Sequence, residues 1–287
     1  MKTYNDIYLA SRHELKKAGV EAFDLEARLI ISAVAGKSKE EFYRDLKLYA
    51  LGDTEERVRE LIERRKNDEP LAYVLGEWEF MGLPMKVDPG VLIPRPDTEL
   101  LAEKALGILR ESSEPGRRVL DMCCGTGCIG IAIANMKRDC RVILADNSMK
   151  ALRIARHNCL KNSVTQNTTV LEADAMKDPP MLLGKFDLIV SNPPYVPSFE
   201  VLTLDNSVKD FEPVEALDGG PDGLDFYRAM VPHWTDILKQ GGSILFECGE
   251  GQAEKIGRML EKAKFEKVEY YEDPAGTKRV IAGLRKK

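Results

Sequence analysis

The sequence predicts an α/β fold, a doubly wound sheet of seven strands preceded by a small all-helical domain and a β-hairpin linker. Three observations carry that expectation. Residues 4 to about 70 show only helical periodicity, and residues 74–94 switch to short aromatic and apolar segments around Gly82 and Pro84. From Arg118 onward, strand-like runs alternate with amphipathic helices. The expected bounds are 1–73 for the helical domain, 74–95 for the hairpin linker and 96–287 for the α/β domain.

Tyr4, Ile7, Tyr8, Ser11, Leu15 and Ala18 recur on one helical face, and Gly19 is placed to stop that helix. A second helix is expected over 23–34. Ser38 with Glu41 and Asp53 with Glu56 have capping-box spacing, and the latter pair opens a helix carrying Val58, Leu61 and Ile62. In the hairpin, Gly82-Leu83-Pro84 is the expected turn. Asp97 or Thr98 is expected to cap a helix reaching about Leu109. Strands are then expected at 118–121, 142–145, 168–172, 186–191, 243–247, 267–271 and 279–284, with helices at 127–136, 151–158, 225–239 and 252–263.

Composition narrows the function. The 287 residues are 44% apolar and 31% charged with a formal net charge of -5, and no apolar run reaches the roughly 18 residues of a membrane helix. A soluble protein results. The start of the sequence has no apolar signal core, so cytoplasmic residence is expected. An acidic balance lacks the long-range attraction to phosphate that nucleic-acid enzymes use, which favours a protein target. Cys123, Cys124, Cys128 and Cys140 cluster in sequence without a paired metal-ligand spacing, so they read as small buried thiols and no metal is expected.

The segment Asp121-Met122-Cys123-Cys124-Gly125-Thr126-Gly127 joins a strand to a helix through small residues, letting a ligand approach the backbone. Glycines also make ordinary turns, so this signal is weak alone. Asp146 ends the next strand, 21 positions after Gly125, where a carboxylate can accept hydrogen bonds from ribose hydroxyls or else merely cap the following helix. Asp174 and Ala175 end the third strand, where an adenine ring or a plain turn fits equally well. These features still permit a nicotinamide nucleotide.

Asn192-Pro193-Pro194-Tyr195 follows the fourth strand and decides against it. An amide nitrogen is a poor nucleophile, because its lone pair is delocalised into the carbonyl. A catalyst must hold both N–H groups and aim the lone pair at an electrophilic methyl. The side-chain oxygen of Asn192 and the backbone oxygen of Pro193 can accept one N–H each, while Tyr195 packs against a flat target group. The methylated nitrogen sheds its proton afterwards, so a catalytic histidine is not needed.

The combination resembles the release-factor glutamine methyltransferases, a family using S-adenosylmethionine (SAM), over nearly the whole chain. Asn192-Pro193-Pro194-Tyr195 is joined by Ile93-Pro94-Arg95-Pro96-Asp97-Thr98-Glu99, by Glu79-Phe80-Met81-Gly82-Leu83, and by Phe211-Glu212-Pro213 with the Gly-rich run from Ala216 to Leu224. The resemblance implies a Rossmann-like SAM-methyltransferase domain and a helical domain that helps hold the release factor. It implies methylation of the glutamine in that factor's Gly-Gly-Gln motif, in support of translation termination. SAM contacts would be Cys123, Cys124, Gly125, Thr126, Gly127, Asp146, Ala175 and Asn192. Asn192, Pro193, Pro194 and Tyr195 would hold the glutamine, and Asn192, Pro193 and Tyr195 would carry the chemistry. The partner is a release factor, with no direct nucleic acid and no membrane, and the chain is expected to act as a monomer. One departure is Cys123-Cys124, where the family usually has glycine and threonine, a change expected to alter SAM affinity. The alternative reading is an adenine-N6-type nucleic-acid methyltransferase, whose planar nitrogen the same tetrapeptide serves.

Overall fold

The computed structural model describes residues 1–111 and 114–286; Ser112, Ser113 and Lys287, which the expected α/β domain includes, lie outside the described residues. The chain divides into two compact units, residues 1–77 with 205–211 and residues 78–204 with 212–287.

The first unit contains α1 (Tyr4–Lys17), α2 (Phe23–Ala35), α3 (Lys39–Arg44), α4 (Thr54–Lys66) and α5 (Leu71–Leu75). Tyr4, Ile7, Tyr8 and Leu15 bury the predicted face of α1 against Ile30, Ile31, Phe42, Val58 and Ile62. The Ser38 capping box forms, whereas Asp53 makes no side-chain cap on α4. Thr3 and Asp6 form a capping box on α1 that was not anticipated.

The second unit opens with a two-stranded antiparallel sheet, β1 (Glu77–Phe80) and β2 (Leu83–Lys86). Its turn is one step earlier than expected: Met81 and Gly82 both have positive φ, as a type I′ turn requires, and Pro84 lies within β2. Then come α6 (Pro96–Glu111), β3 (Arg118–Met122), α7 (Cys128–Met136), β4 (Arg141–Asp146), α8 (Met149–Lys161), β5 (Thr168–Glu172) and β6 (Phe186–Ser191). After the short α9 (Ser198–Val201), and α10 (Asn206–Lys209), which belongs to the first unit, the fold finishes with α11 (Asp225–Trp234), β7 (Leu238–Glu247), α12 (Ala253–Lys262), β8 (Phe265–Glu272) and β9 (Lys278–Arg285). Pro96 takes the first helical position of α6, so Asp97 and Thr98 sit in the first turn and do not cap it. The helix expected over 225–239 stops at Trp234, two residues past Pro232, and Leu238 and Lys239 already belong to β7.

The large sheet has seven strands in the order β5-β4-β3-β6-β7-β9-β8. The first five run parallel, and β9 is antiparallel to both β7 and β8. Alternation along the strands supplies two cores: Val119, Leu188 and Val190 face α6 and α7, while Leu120, Met122, Ile189 and Phe246 face α11 and α12. The chain reverses direction of winding between β3 and β6, so the loops after those two strands flank the crevice where such sheets bind ligands. Among the described residues no helix is long and apolar enough to cross a membrane.

Candidate active site

A cavity of about 520 Å³ opens at that crevice. Its floor is the loop after β3, with Cys123, Cys124, Gly125 and Thr126; one side is Asp146 with Asn147 and Ser148, and the other is Asn192 with Pro194. The segment from Gly90 to Arg95 and Phe226 close over it, and Ala173 and Ala175 line the end beyond β5. This volume suits a drug-sized ligand.

Local chemistry explains the loop. Cys123 has φ +60, Gly125 has φ +53 and Gly127 has φ +79, a run of left-handed residues that turns the chain sharply before α7. The Gly125 N–H donates to Asp146 Oδ2 at 2.9 Å and the Ser148 N–H to Asp146 Oδ1 at 2.9 Å, tying the loop to the end of β4. Ser148, not Asp146, caps α8 through the Ala151 N–H. Gly127 is not part of the cavity wall: a Cβ there would meet Ile131 Cδ1 at 3.1 Å and Ala155 Cβ at 3.3 Å, so it serves close packing of α7. Asn158 on α8 joins loop to hairpin, donating to the carbonyls of Thr126 and Lys86 and accepting from the Lys86 N–H.

Beneath the loop Asp121 is fully buried. Its Oδ2 accepts from the Gly130 N–H at 2.8 Å and its Oδ1 has no partner. Burial pushes the Asp121 carboxyl up to about 7, with the Gly130 bond opposing and Asp146 adding to the rise. Burial also raises Asp146, and it holds the Cys128 thiol up near 12. All six cysteines are free thiols. Among the described residues no group of three or more His, Cys, Asp or Glu side chains is placed to hold a metal ion.

The structure brings Asn192 and Pro194 to the cavity but keeps Tyr195 out of its lining. Tyr195 is half-buried; its hydroxyl donates to Glu247 Oε1 at 3.4 Å, and its backbone oxygen accepts from Gln252 Nε2 at 2.8 Å. Pro193 is buried and likewise absent from the lining. Asn192 Nδ2 donates to Thr98 Oγ1 at 3.2 Å.

Sequence reasoning missed what anchors the cover. Glu212, 4% exposed, accepts from the Ile93 N–H at 3.1 Å and pairs with Arg95, so the Phe211-Glu212-Pro213 segment anchors residues 93–95 above the cavity. Glu99 accepts from the Met81 N–H at 2.8 Å and so pins the hairpin turn to α6. The characteristic motifs in the primary structure were visible, but nothing in them announced that they would clamp one another.

Comparison with known proteins agrees with this architecture. A family model described as methyltransferase small domain matches residues 98–204, and one described as PrmC N-terminal domain matches residues 7–76. The chain is 35% identical to the release factor glutamine methyltransferase of Clostridium botulinum over 96% of this chain and 97% of that one. It is 37% identical to the protein of the same name from Geobacter sulfurreducens, over 95% and 93% respectively. Among solved structures, a methyltransferase from Pyrococcus furiosus superposes with a TM-score of 0.53 at 17% identity, covering 72% of this chain and 91% of that one, a likeness of fold.

Proposed function

The chain belongs to the release factor glutamine methyltransferase family, and from that premise we propose that it transfers a methyl group from SAM to the side-chain nitrogen of the glutamine in a release factor's Gly-Gly-Gln motif. The observation that carries the reading is the shared cavity: Asn192 and Pro194 line the same space as Asp146 and the loop from Cys123 to Thr126.

SAM fits those residues. The Asp146 carboxylate stands where ribose hydroxyls would donate to it, and the Gly125 position is open, with no atom within 4 Å of an added Cβ. Cys123, Cys124, Gly125, Thr126, Asp146, Ala175 and Asn192 would hold it, and Gly127 contributes through the packing of α7. Bound there, SAM supplies a methyl group on an electron-poor sulfonium. The chain's own work is to hold the amide. Asn192 Oδ1 accepts one N–H and the Pro193 carbonyl the other, aiming the nitrogen lone pair and stabilising positive charge as it develops on nitrogen. Tyr195 and Pro194 keep the tetrapeptide rigid, and the segment above the cavity limits water.

In the same reading, residues 1–73 dock the release factor, 74–95 link, and 96–287 catalyse. The protein works as a monomer in the cytoplasm, where release factors act, without direct contact to nucleic acid. Incubation of purified release factor with methyl-labelled SAM, beside DNA and RNA controls, tests the proposal. Label is expected on the release factor alone. Asn192→Ala is expected to lower single-turnover transfer on the order of 100-fold while SAM affinity, measured by calorimetry, changes far less. Label on DNA instead of the factor, or a near-normal alanine variant, would overturn it.

A further inference from the structure

We infer that Gln252 is a positioning residue for methyl transfer: its side-chain amide holds the downstream end of the tetrapeptide 192–195, so that Asn192 and Pro193 keep the geometry that receives the target amide. This rests on the reading of those two residues as acceptors for the substrate N–H groups. Pro193 and Pro194 have no backbone N–H, so neither can donate to a neighbouring segment. The Pro193 oxygen must also stay free for the substrate. A loop that lacks two donors and reserves an acceptor has to be held by its ends.

The upstream end is β6, whose last residue, Ser191, donates its hydroxyl to the Met122 carbonyl at 2.7 Å. The downstream end is held by Gln252, which stands just before α12. Gln252 Nε2 donates to the Tyr195 carbonyl at 2.8 Å and to the Gly223 carbonyl at 3.4 Å, while Gln252 Oε1 accepts from the Gly249 N–H at 3.0 Å. The last bond fixes which way the amide faces. Turned over, it would set its oxygen against two carbonyls and its N–H₂ against the Gly249 N–H. Gln252 is 6% exposed and does not line the cavity, so it acts through Tyr195 and not on a ligand. One step on, the Val196 N–H donates to the Leu217 carbonyl at 2.9 Å, the Gly219 N–H to the Val196 carbonyl at 2.8 Å and the Ser198 N–H to the Gly220 carbonyl at 2.9 Å.

Three glycines let these backbones close on Tyr195. A Cβ on Gly219 would lie 2.7 Å from both the Pro194 oxygen and Tyr195 Cα, one on Gly223 would lie 2.2 Å from the Tyr195 oxygen, and one on Gly249 would lie 3.2 Å from Tyr195 Cδ2. The Gly-rich run and the loop after β7 thus converge on a single residue, and Gln252 ties both to it. Tyr195 is three residues from Asn192, and the two prolines between them have fixed φ, so a shift at one end reaches the other.

Gln252→Met and Gly219→Ala in the full-length protein test the clamp from its two sides. Methionine matches glutamine in length and removes both the donor and the acceptor. Gly219 lies outside the left-handed region, so alanine adds only its contact with Pro194 and Tyr195. Single-turnover methyl transfer at saturating release factor is expected to fall on the order of 10- to 100-fold in each variant, with SAM affinity and the half-saturating release factor concentration within about threefold of the parent. A side chain that only fills space predicts the parent rate in Gln252→Met, and that result overturns the proposal. So does a loss of SAM affinity that matches the loss of rate, since the defect would then lie in cofactor binding. Hydrogen exchange supplies a readout without substrate: the Val196 and Ser198 amides are expected to exchange on the order of tenfold faster in Gln252→Met, with those of β3 and β4 unchanged. Unchanged exchange at Val196 and Ser198 overturns the clamp whatever the enzyme methylates, whereas failure of the parent to label release factor overturns the functional reading alone.

Discussion

Cys123 holds a left-handed conformation, φ +60, that non-glycine residues adopt at a cost of roughly 1–2 kcal/mol. Glycine would remove that cost but loses about 0.5–1 kcal/mol to unfolded-chain freedom. Relief outweighs the entropy. Cys123→Gly is therefore expected to stabilise the fold by up to about 1 kcal/mol, a rise of about 2–4 °C in the calorimetric melting temperature. A fall would mean that the thiol's packing matters more than the strain. At this scale the candidate site was only half legible. Asp146 and Asn192 could be read because each ends a strand at a recognisable distance from the glycine loop. Thr98 could not, because its hydroxyl acquires a partner only when the end of β6 brings Asn192 beside α6. It looked like a helix cap, the commonest use of such a residue before a helix. Tyr195 was expected against the substrate; its hydroxyl donates to Glu247 Oε1.

Elements were more legible than residues, since periodicity is local and packing is not. All seven strands of the large sheet were read from the sequence, and the doubly wound arrangement followed from the alternating helices, whereas the antiparallel β9 between β7 and β8 did not. The exceptions were boundaries where a tertiary contact wins, as at Leu238, which leaves the expected helix to pair with Phe186. Element packing is also where the glycine motif has its second meaning. A Cβ on Gly130 of α7 would lie 2.1 Å from Leu144 Cδ2, 2.9 Å from Asp121 Oδ2 and 3.1 Å from Val142 Cγ1. The helix thus sits as close to β4 as its backbone permits. Gly130→Ala is expected to cost about 1–3 kcal/mol in denaturant unfolding through overpacking. Because α7 begins at the loop that floors the cavity, SAM affinity is expected to drop about tenfold as well. Shortening the neighbour in Gly130→Ala with Leu144→Ala is expected to recover part of both losses. If the double variant binds SAM no better than the single one, the helix position does not transmit to the loop.

Across the whole molecule, charge balance has a feature that composition hides. The formal charge of -5 counts every carboxylate as ionised. Burial holds both Asp121 and Glu247 near 7, so each is about half protonated at neutral pH and the folded chain is nearer to about -4. Burial raises Asp146 and Glu212 in the same direction. A raised folded value means that the native state binds more protons than the unfolded one between the two pKa values. The contribution of such a group is complete below its unfolded value, near 4 for Asp121, and is lost as pH rises through about 7. Carboxylates such as Asp273 and Asp222, lowered by backbone N–H groups and by Arg228 respectively, act oppositely, and their contribution is lost only at acid pH. Between about pH 5 and 8 the buried set therefore dominates, and stability is expected to decline as pH rises. Asp121→Asn isolates one member. Its amide leaves the buried position uncharged at every pH, and any fixed cost of the unpartnered N–H₂ is the same at both ends of the window. The melting temperature of the variant relative to the parent is accordingly expected to be higher at pH 8 than at pH 5, by several degrees if the shift is as large as the burial implies. A difference that stays constant with pH, or runs the other way, would mean that Asp121 is ionised throughout.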